Sequence, residues 1–293
     1  MKKIMTCLWF PHQAEEAATF YTALFKNSKI TDILRNTGDV PDSPEGVVVA
    51  VGFSLEGEQF MTLNGRTESG FNPAISFIVN CRTDGEITAL WDKLSAGGQV
   101  LMPLDKYPFS DKYGWVQDKY GLSWQLMLSE AEPQQKIMPS LMFTGKAAGK
   151  AEEAINFYSA QFEEARVVSI FRYGADRQPD REGTVMFADF ILAGQWFAAM
   201  DSAHEHKAAF NDSISFVVNC DTQEEVDAYW KKLTEGGQEV ACGWLTDRFG
   251  ISWQITPRML FKMLQSKDKE KAKRTMQAMM KMIKLDIAQL EQA

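Results

Sequence analysis

Most of this chain is written twice in the same order, and a duplication of that length confines it to two copies of one domain. AEEAATFYTALF at 14–25 returns as AEEAINFYSAQF at 151–162, and GVVVAVGFSLEGEQFMTLN at 46–64 returns as GTVMFADFILAGQWFAAMD at 183–201, both offset by 137. NPAISFIVNC at 72–81 matches NDSISFVVNC at 211–220, offset by 139, and DKYGLSWQL at 118–126 matches DRFGISWQI at 247–255, offset by 129. The second copy has therefore lost about ten residues from one connection. A functional site is built either within each copy or between the two.

Each half, at roughly 130 residues, is long enough to bury a core without disulfides. The hydrophobic fraction of 45% is that of a globular protein, and no apolar run is long enough to cross a bilayer. Met1-Lys2-Lys3 precedes only a short apolar stretch that ends at Pro11-His12, which reads as a strand and not as a secretory signal. Cys7, Cys81, Cys220 and Cys242 form no CxxC pair, and Cys81 and Cys220 end equivalent apolar runs, so they read as buried free thiols. A reducing cytoplasm fits that usage. The net charge of −8 excludes a general nucleic-acid binder, which needs a basic face.

Periods of 2 and 3.6 alternate along each copy. KIMTCLWF is a strand, and AEEAATFYTALF sets Ala17, Phe20, Tyr21, Leu24 and Phe25 on one helical face with acids in the first turn. Three strands follow, KITDILRN, GVVVAVGFSL and EQFMTLN, separated by turns at Asp42-Ser43-Pro44 and Glu56-Gly57-Glu58. The order repeats with AISFIVNC, a helix from about Asp84 to Leu94 closed by Gly97-Gly98, and then QVLMPL, GWVQD and LSWQLML. One copy is thus two βαβββ modules, and the chain has four. The expected domains are 1–130 and 137–257 with a linker at 131–136. A helical extension at 258–293 carries Met276, Met279, Met280, Ile283, Ile287 and Leu290 as a packing face for the body or a partner.

The doubled modules, the AEEA helix ending in FY, and the D-x-[YF]-G-[LI]-S-W-Q strings resemble the glyoxalase, bleomycin-resistance and extradiol-dioxygenase superfamily, the vicinal oxygen chelate fold. Within it the chain resembles the 3-demethylubiquinone-9 3-methyltransferase-like, or PhnB-like, branch. The resemblance implies an α+β fold of two tandem domains, each a curled eight-stranded sheet of two βαβββ modules whose concave face holds the ligand, plus the C-terminal helical tail. It also implies metal-ligand positions on the first, fifth and eighth strands. These fall on Thr6, Ala74 and Gln125 in the first copy and on Pro139, Ser213 and Gln254 in the second. A divalent ion wants imidazole and carboxylate donors, so no metal and no other cofactor is expected. No GxGxG turn opens a helix, which speaks against methyl transfer from S-adenosylmethionine in the commonest fold.

Candidate ligand-binding residues are Trp9, Asn64, Trp115, Trp124 and Gln125 in the first copy, with Asp201 and Gln254 in the second. Gln125 and Gln254 replace inward-facing ligands of the superfamily, while Asn64 and Asp201 end equivalent strands, either at the rim of the cup or as Asx turns. The strand aromatics fill core or line an apolar cup. His204 and His206 would share a face if they lay on a strand, but SAHEHKAAFND also reads as a solvated loop. PLDKYPFSDKYG at 103–114 has almost no counterpart in the second copy and is either a flap over the first cup, a contact with the other domain, or a plain hairpin. No nucleophile is visible. The expected function is binding or sequestration of a small, partly apolar molecule. An enzyme using an unorthodox site and an interaction module working through paired domains and the tail stand as alternatives. Partners would be a small molecule and a second copy of the chain, with neither nucleic acid nor membrane.

Overall fold

The computed structural model describes residues 2–36, 38, 44–65, 69–129 and 134–293. Four βαβββ modules follow one another as the repeat requires. The first is β1 (Ile4–Phe10), α1 (Ala14–Leu24), β2 (Ser28–Arg35), β3 (Val48–Leu55) and β4 (Glu58–Asn64). The second is β5 (Ile75–Cys81), α2 (Asp84–Ser95), β6 (Gln99–Tyr107), β7 (Ser110–Gln117) and β8 (Ser123–Leu128). The third is β9 (Ile137–Phe143), α3 (Ala151–Gln161), β10 (Arg166–Arg172), β11 (Val185–Leu192) and β12 (Gln195–Asp201). The fourth is β13 (Ile214–Cys220), α4 (Gln223–Leu233), β14 (Gln238–Glu239), β15 (Trp244–Thr246) and β16 (Ser252–Pro257). The expected turn residues Asp42 and Ser43, and 131–133 of the expected linker, lie outside the described residues.

Local chemistry sets the element ends. Thr83 and Thr222 cap α2 and α4 by accepting the backbone N–H of Glu86 and Glu225, whose carboxylates reach back to the N–H of Arg82 and Asp221. At the other end of α2, Gly97 takes φ +74°, and a Cβ on Gly98 would lie 2.1 Å from the Gln117 carbonyl oxygen. Only glycine allows both the left-handed turn and that approach.

The modules do not pair as the copies are written. The strand order is β14-β15-β16-β13-β1-β4-β3-β2 in one sheet and β10-β11-β12-β9-β5-β8-β7-β6 in the other. Two compact units result, one of residues 1–69 with 211–293 and one of 70–210. The contiguous ranges 1–130 and 137–257 describe the repeat in the sequence and not these units. The reason lies in the first strand of each module, whose free edge must find the first strand of another. β5 pairs antiparallel with β9, the next first strand along the chain, and β1 therefore pairs with β13.

Each sheet carries its two helices on one face, where most of the core lies. In the first module Phe53 stacks on Tyr21 of α1 and on Phe60, and the Thr62 hydroxyl donates to the Ala14 carbonyl. Phe77 with Trp124, Phe190 with Phe197, and Phe216 with Trp253 repeat the arrangement. Each such buried ring contributes about 1.5–3 kcal/mol. The opposite, inner face is the one that differs between the units.

The tail is three short helices, α5 (Leu260–Leu264), α6 (Lys269–Met279) and α7 (Ile287–Gln292), and not one amphipathic stripe. Beyond Met279 the carbonyls of Met282 and Ile283 accept the N–H of Cys242 and Gly243, in the turn before β15, both at 2.7 Å. Met276 and Met279, with Phe261 and Leu264, pack on Leu34, Ala50, Met61 and Leu63. Ala50 and Leu63 are register partners on the inner face, as are Cys7 and Met61, so the tail covers the inner face of its own unit.

Candidate functional site

In the 70–210 unit the strand registers align one row of small and polar side chains across the inner face. Ser169 faces Asp189, Asp189 faces Ala198, Ala198 faces Ser140, Ser140 faces Ser76, and Ser76 faces Ser123. The strand period of two puts these side chains on the same side. Beside the row, the Tyr113 hydroxyl donates to Gln125 Oε1 at 2.7 Å, and Gln125 Nε2 donates to the Ser76 hydroxyl at 2.7 Å. Burial pushes the Tyr113 phenol up, so it remains a neutral donor. The Trp115 indole N–H donates to the Ser123 hydroxyl at 2.7 Å. Ser140 is 1% exposed, and its hydroxyl has no hydrogen-bond partner among the described residues. Ile78, Met138 and Ala198 pack over this face with Met127, Phe187 and Trp196.

The other unit has the same row with different occupants. Asp32, Gly52, Met61, Cys7, Ser215 and Ser252 follow one another in register. Gln254 Nε2 donates to the Ser215 hydroxyl at 3.0 Å, repeating the Gln125–Ser76 bond. Met61 stands where the other unit has Ala198, Cys7 where it has Ser140, and Gly52 where it has Asp189. Burial pushes the Cys7 thiol up to about 12 although Gln254 and Ser215 bond to it, so it is no thiolate ligand or nucleophile.

Of the candidate residues, Gln125, Trp115, Gln254 and Trp9 fall on inner faces, but in two different units. Trp9 lies 5.3 Å from Trp244, its ring tilted by 46°, in the unit of Gln254, whereas Gln125 belongs to the other unit. The pairing of modules across the copies is the reason. Trp124 is in the helix-side core, its indole N–H held by Asp118 at 2.9 Å. Asn64 Oδ1 accepts the Ala14 N–H while its amide donates to Val48 O, and the two oxygens of Asp201 accept the Ala151 and Val185 N–H. These two are helix-start and strand-end anchors on the helix side. Asp201 also borders an open pocket of about 380 Å³ near Arg181 and Glu152, with both its oxygens already engaged.

Thr6 pairs with Phe60 and Pro139 with Phe77, on the helix side, whereas their neighbours Cys7 and Ser140 face inward. A count off by one residue moves a strand side chain to the other face. His204 and His206 lie in an irregular loop, where His206 Nε2 meets the Ser202 hydroxyl at 2.8 Å and His204 is 3.5 Å from Asp180, so the shared strand face is absent. PLDKYPFSDKYG forms the long β6–β7 hairpin. Its Tyr107 and Phe109 cluster with Tyr113, at 5.6 and 5.0 Å, beside Gln125. Sequence reasoning missed Tyr113, Ser76, Ser140 and Asp189. The signal for three of them lay in the repeat itself, as positions where the copies disagree: Tyr113 against Cys242, Ser140 against Cys7, Asp189 against Gly52.

The superfamily's metal does not fit these residues. The inner donors around Gln125 are hydroxyls and an amide, and no group of three or more His, Cys, Asp or Glu side chains arranged to hold a metal ion occurs among the described residues.

Residues 2–127 and again 135–256 match the 3-demethylubiquinone-9 3-methyltransferase family. The chain belongs to that family. Among solved structures, a Bacillus cereus protein named as a 3-demethylubiquinone-9 3-methyltransferase, PhnB protein, is 45% identical over 44% of this chain and 100% of its own, with a TM-score of 0.42. Glyoxalase I from Zea mays, 12% identical, covers 92% of this chain and 97% of its own with a TM-score of 0.57, which establishes the tandem vicinal oxygen chelate fold. No sequence among the curated proteins matches the chain. No helix among the described residues is long and apolar enough to cross a membrane.

Proposed function

We propose that this family member binds a small, partly apolar molecule on the inner face of the 70–210 unit. The observation that carries the reading is the buried, unpartnered Ser140 hydroxyl beside Ala198 and the Tyr113–Gln125–Ser76 chain. A buried hydroxyl without a partner costs about 1–3 kcal/mol, which a ligand's polar group would return. The side chains at 198, 140 and 76 are small, and the methionines packed beside them, Met127 and Met138, repack readily. The other inner face has Met61 in that place and its own tail above it, which supports a single working site.

The neutral donors on this face favour recognition over chemistry, and Met276 and Met279 of the tail are packed on their own unit, whereas Met280 and Ile283 are exposed. The test is a fragment screen by methyl NMR on the full chain, reading the Met127 and Met138 signals in the wild type and in Ala198→Met. That variant copies Met61 of the other unit, so the fold has already accepted it. Small hydroxyl- or amide-bearing aromatics are expected to shift both methyls in the wild type and neither in the variant. Hits that map to 1–69 and 211–293, or that ignore the substitution, refute the reading.

A further inference from the structure

We infer that the ligand of this face is an organic cation, its charge seated at Asp189 and its apolar body among Phe187, Trp196 and Ala198. The inference rests on the binding reading above and names the ligand class. Asp189 lies on the inner face of β11, opposite Ala198, with Ser140 beyond Ala198 in the row. Its side-chain partner is the Ser169 hydroxyl at 3.2 Å, and no ion pair to Asp189 occurs among the described residues. Burial raises its carboxyl pKa, and the Ser169 hydroxyl bond opposes the rise. A half-buried carboxylate left uncompensated is costly, and a ligand ammonium removes the cost.

The fold itself does not require the acid. The same position in the other copy is Gly52, in the same hairpin and the same register. The other unit carries its carboxylate one strand over, on the exposed Asp32 opposite Gly52, and its inner face is taken by the C-terminal helices. Around it the face supplies aromatic rings: Phe187 lies two residues before Asp189 on β11, Trp196 two residues before Ala198 on β12, and both pack on the Ala198 cluster. Carboxylate and ring faces together are the chemistry that selects an ammonium over a neutral isostere. The chain's net charge of −8 also favours approach of cations.

Three probes of one shape decide the matter: phenethylamine, phenethyl alcohol and phenylacetate, titrated into the full chain with the Met127 and Met138 methyl signals as readout. Phenethylamine is expected to bind about tenfold tighter than the alcohol, which is about 1.4 kcal/mol. In Asp189→Asn and in Asp189→Gly, which copies Gly52, that preference should vanish while the alcohol's affinity holds. Equal affinity of amine and alcohol in the wild type, tightest binding of phenylacetate, or a cation preference surviving both substitutions overturns the seat at Asp189 and leaves the binding reading standing. No methyl shift with any of the three overturns both.

Discussion

Asp118 holds Trp124: one carboxylate oxygen accepts the indole N–H at 2.9 Å while the other accepts the backbone N–H of Tyr120 and Leu122. Asp247 repeats all three bonds with Trp253, Phe249 and Ile251. The most family-specific strings in the chain, DKYGLSW and DRFGISW, are therefore turn locks that fasten the last strand of a module. Asp118→Ala should cost about 2–4 kcal/mol, because it removes the carboxylate that accepts from a fully buried indole N–H and from two turn N–H groups. Asp247→Ala should cost a similar amount. Urea denaturation measures both, and losses under about 0.5 kcal/mol would contradict the assignment.

The tail's packing on Leu34, Ala50, Met61 and Leu63 predicts that deleting 259–293 uncovers an apolar face. The truncated chain should bind a fluorescent apolar dye and lose hydrogen-exchange protection in β3 and β4, while β11 and β12 keep theirs. Unchanged exchange in β3 and β4 would show that the tail covers nothing that matters there.

Asp189 predicts a pH effect of definite sign. Its folded pKa is raised above the ordinary aspartate value by burial, so the folded state holds the proton more tightly than the unfolded chain. The group's contribution is therefore present in acid and lost as pH rises through the folded pKa. Asp189→Asn should be the more stable form at neutral pH, and the gap should close as pH falls to the ordinary aspartate range near ~4. Denaturation midpoints across that range check it, and a gap that widens in acid would reverse the argument.

Removing the phenol at 113 tests the inner hydrogen-bond chain. Tyr113→Phe leaves Gln125 Oε1 without its 2.7 Å donor at a site only 4% exposed, and should destabilise by about 1–2 kcal/mol. Gln125→Leu removes the middle of the chain, so Tyr113→Phe should cost less in that background than alone, a non-additivity that a double-mutant cycle detects.

Thiol titration separates the cysteines. Burial pushes Cys7, Cys81 and Cys220 up to about 12, while Cys242 is partly exposed. A disulfide reagent should modify Cys242 first and the other three only in denaturant. Fast modification of Cys7 in the native protein would show that the inner face of its unit is open.

Much of this architecture was legible in the sequence because it is local. The period of two in GVVVAVGFSL, the acids ahead of ATFYTALF and the Gly-Gly closures each act within one element, and all four βαβββ modules stand where those patterns put them. The repeat also carried the family, and Gln125 and Gln254 face inward as equivalent positions should. Which modules share a sheet was not written there. The two copies offer nearly identical first-strand edges, so residue chemistry does not choose between partners, and the chain connections select β5 with β9 and β1 with β13. That choice placed Trp9 and Gln125 in different units. The face of Thr6 and Pro139 was equally beyond a count along the chain, since one residue of register inverts a strand. The tail's methionine stripe announced a buried face, but only the folded chain decided that its cover would be Leu34, Met61 and Leu63, because that contact joins residues more than two hundred positions apart.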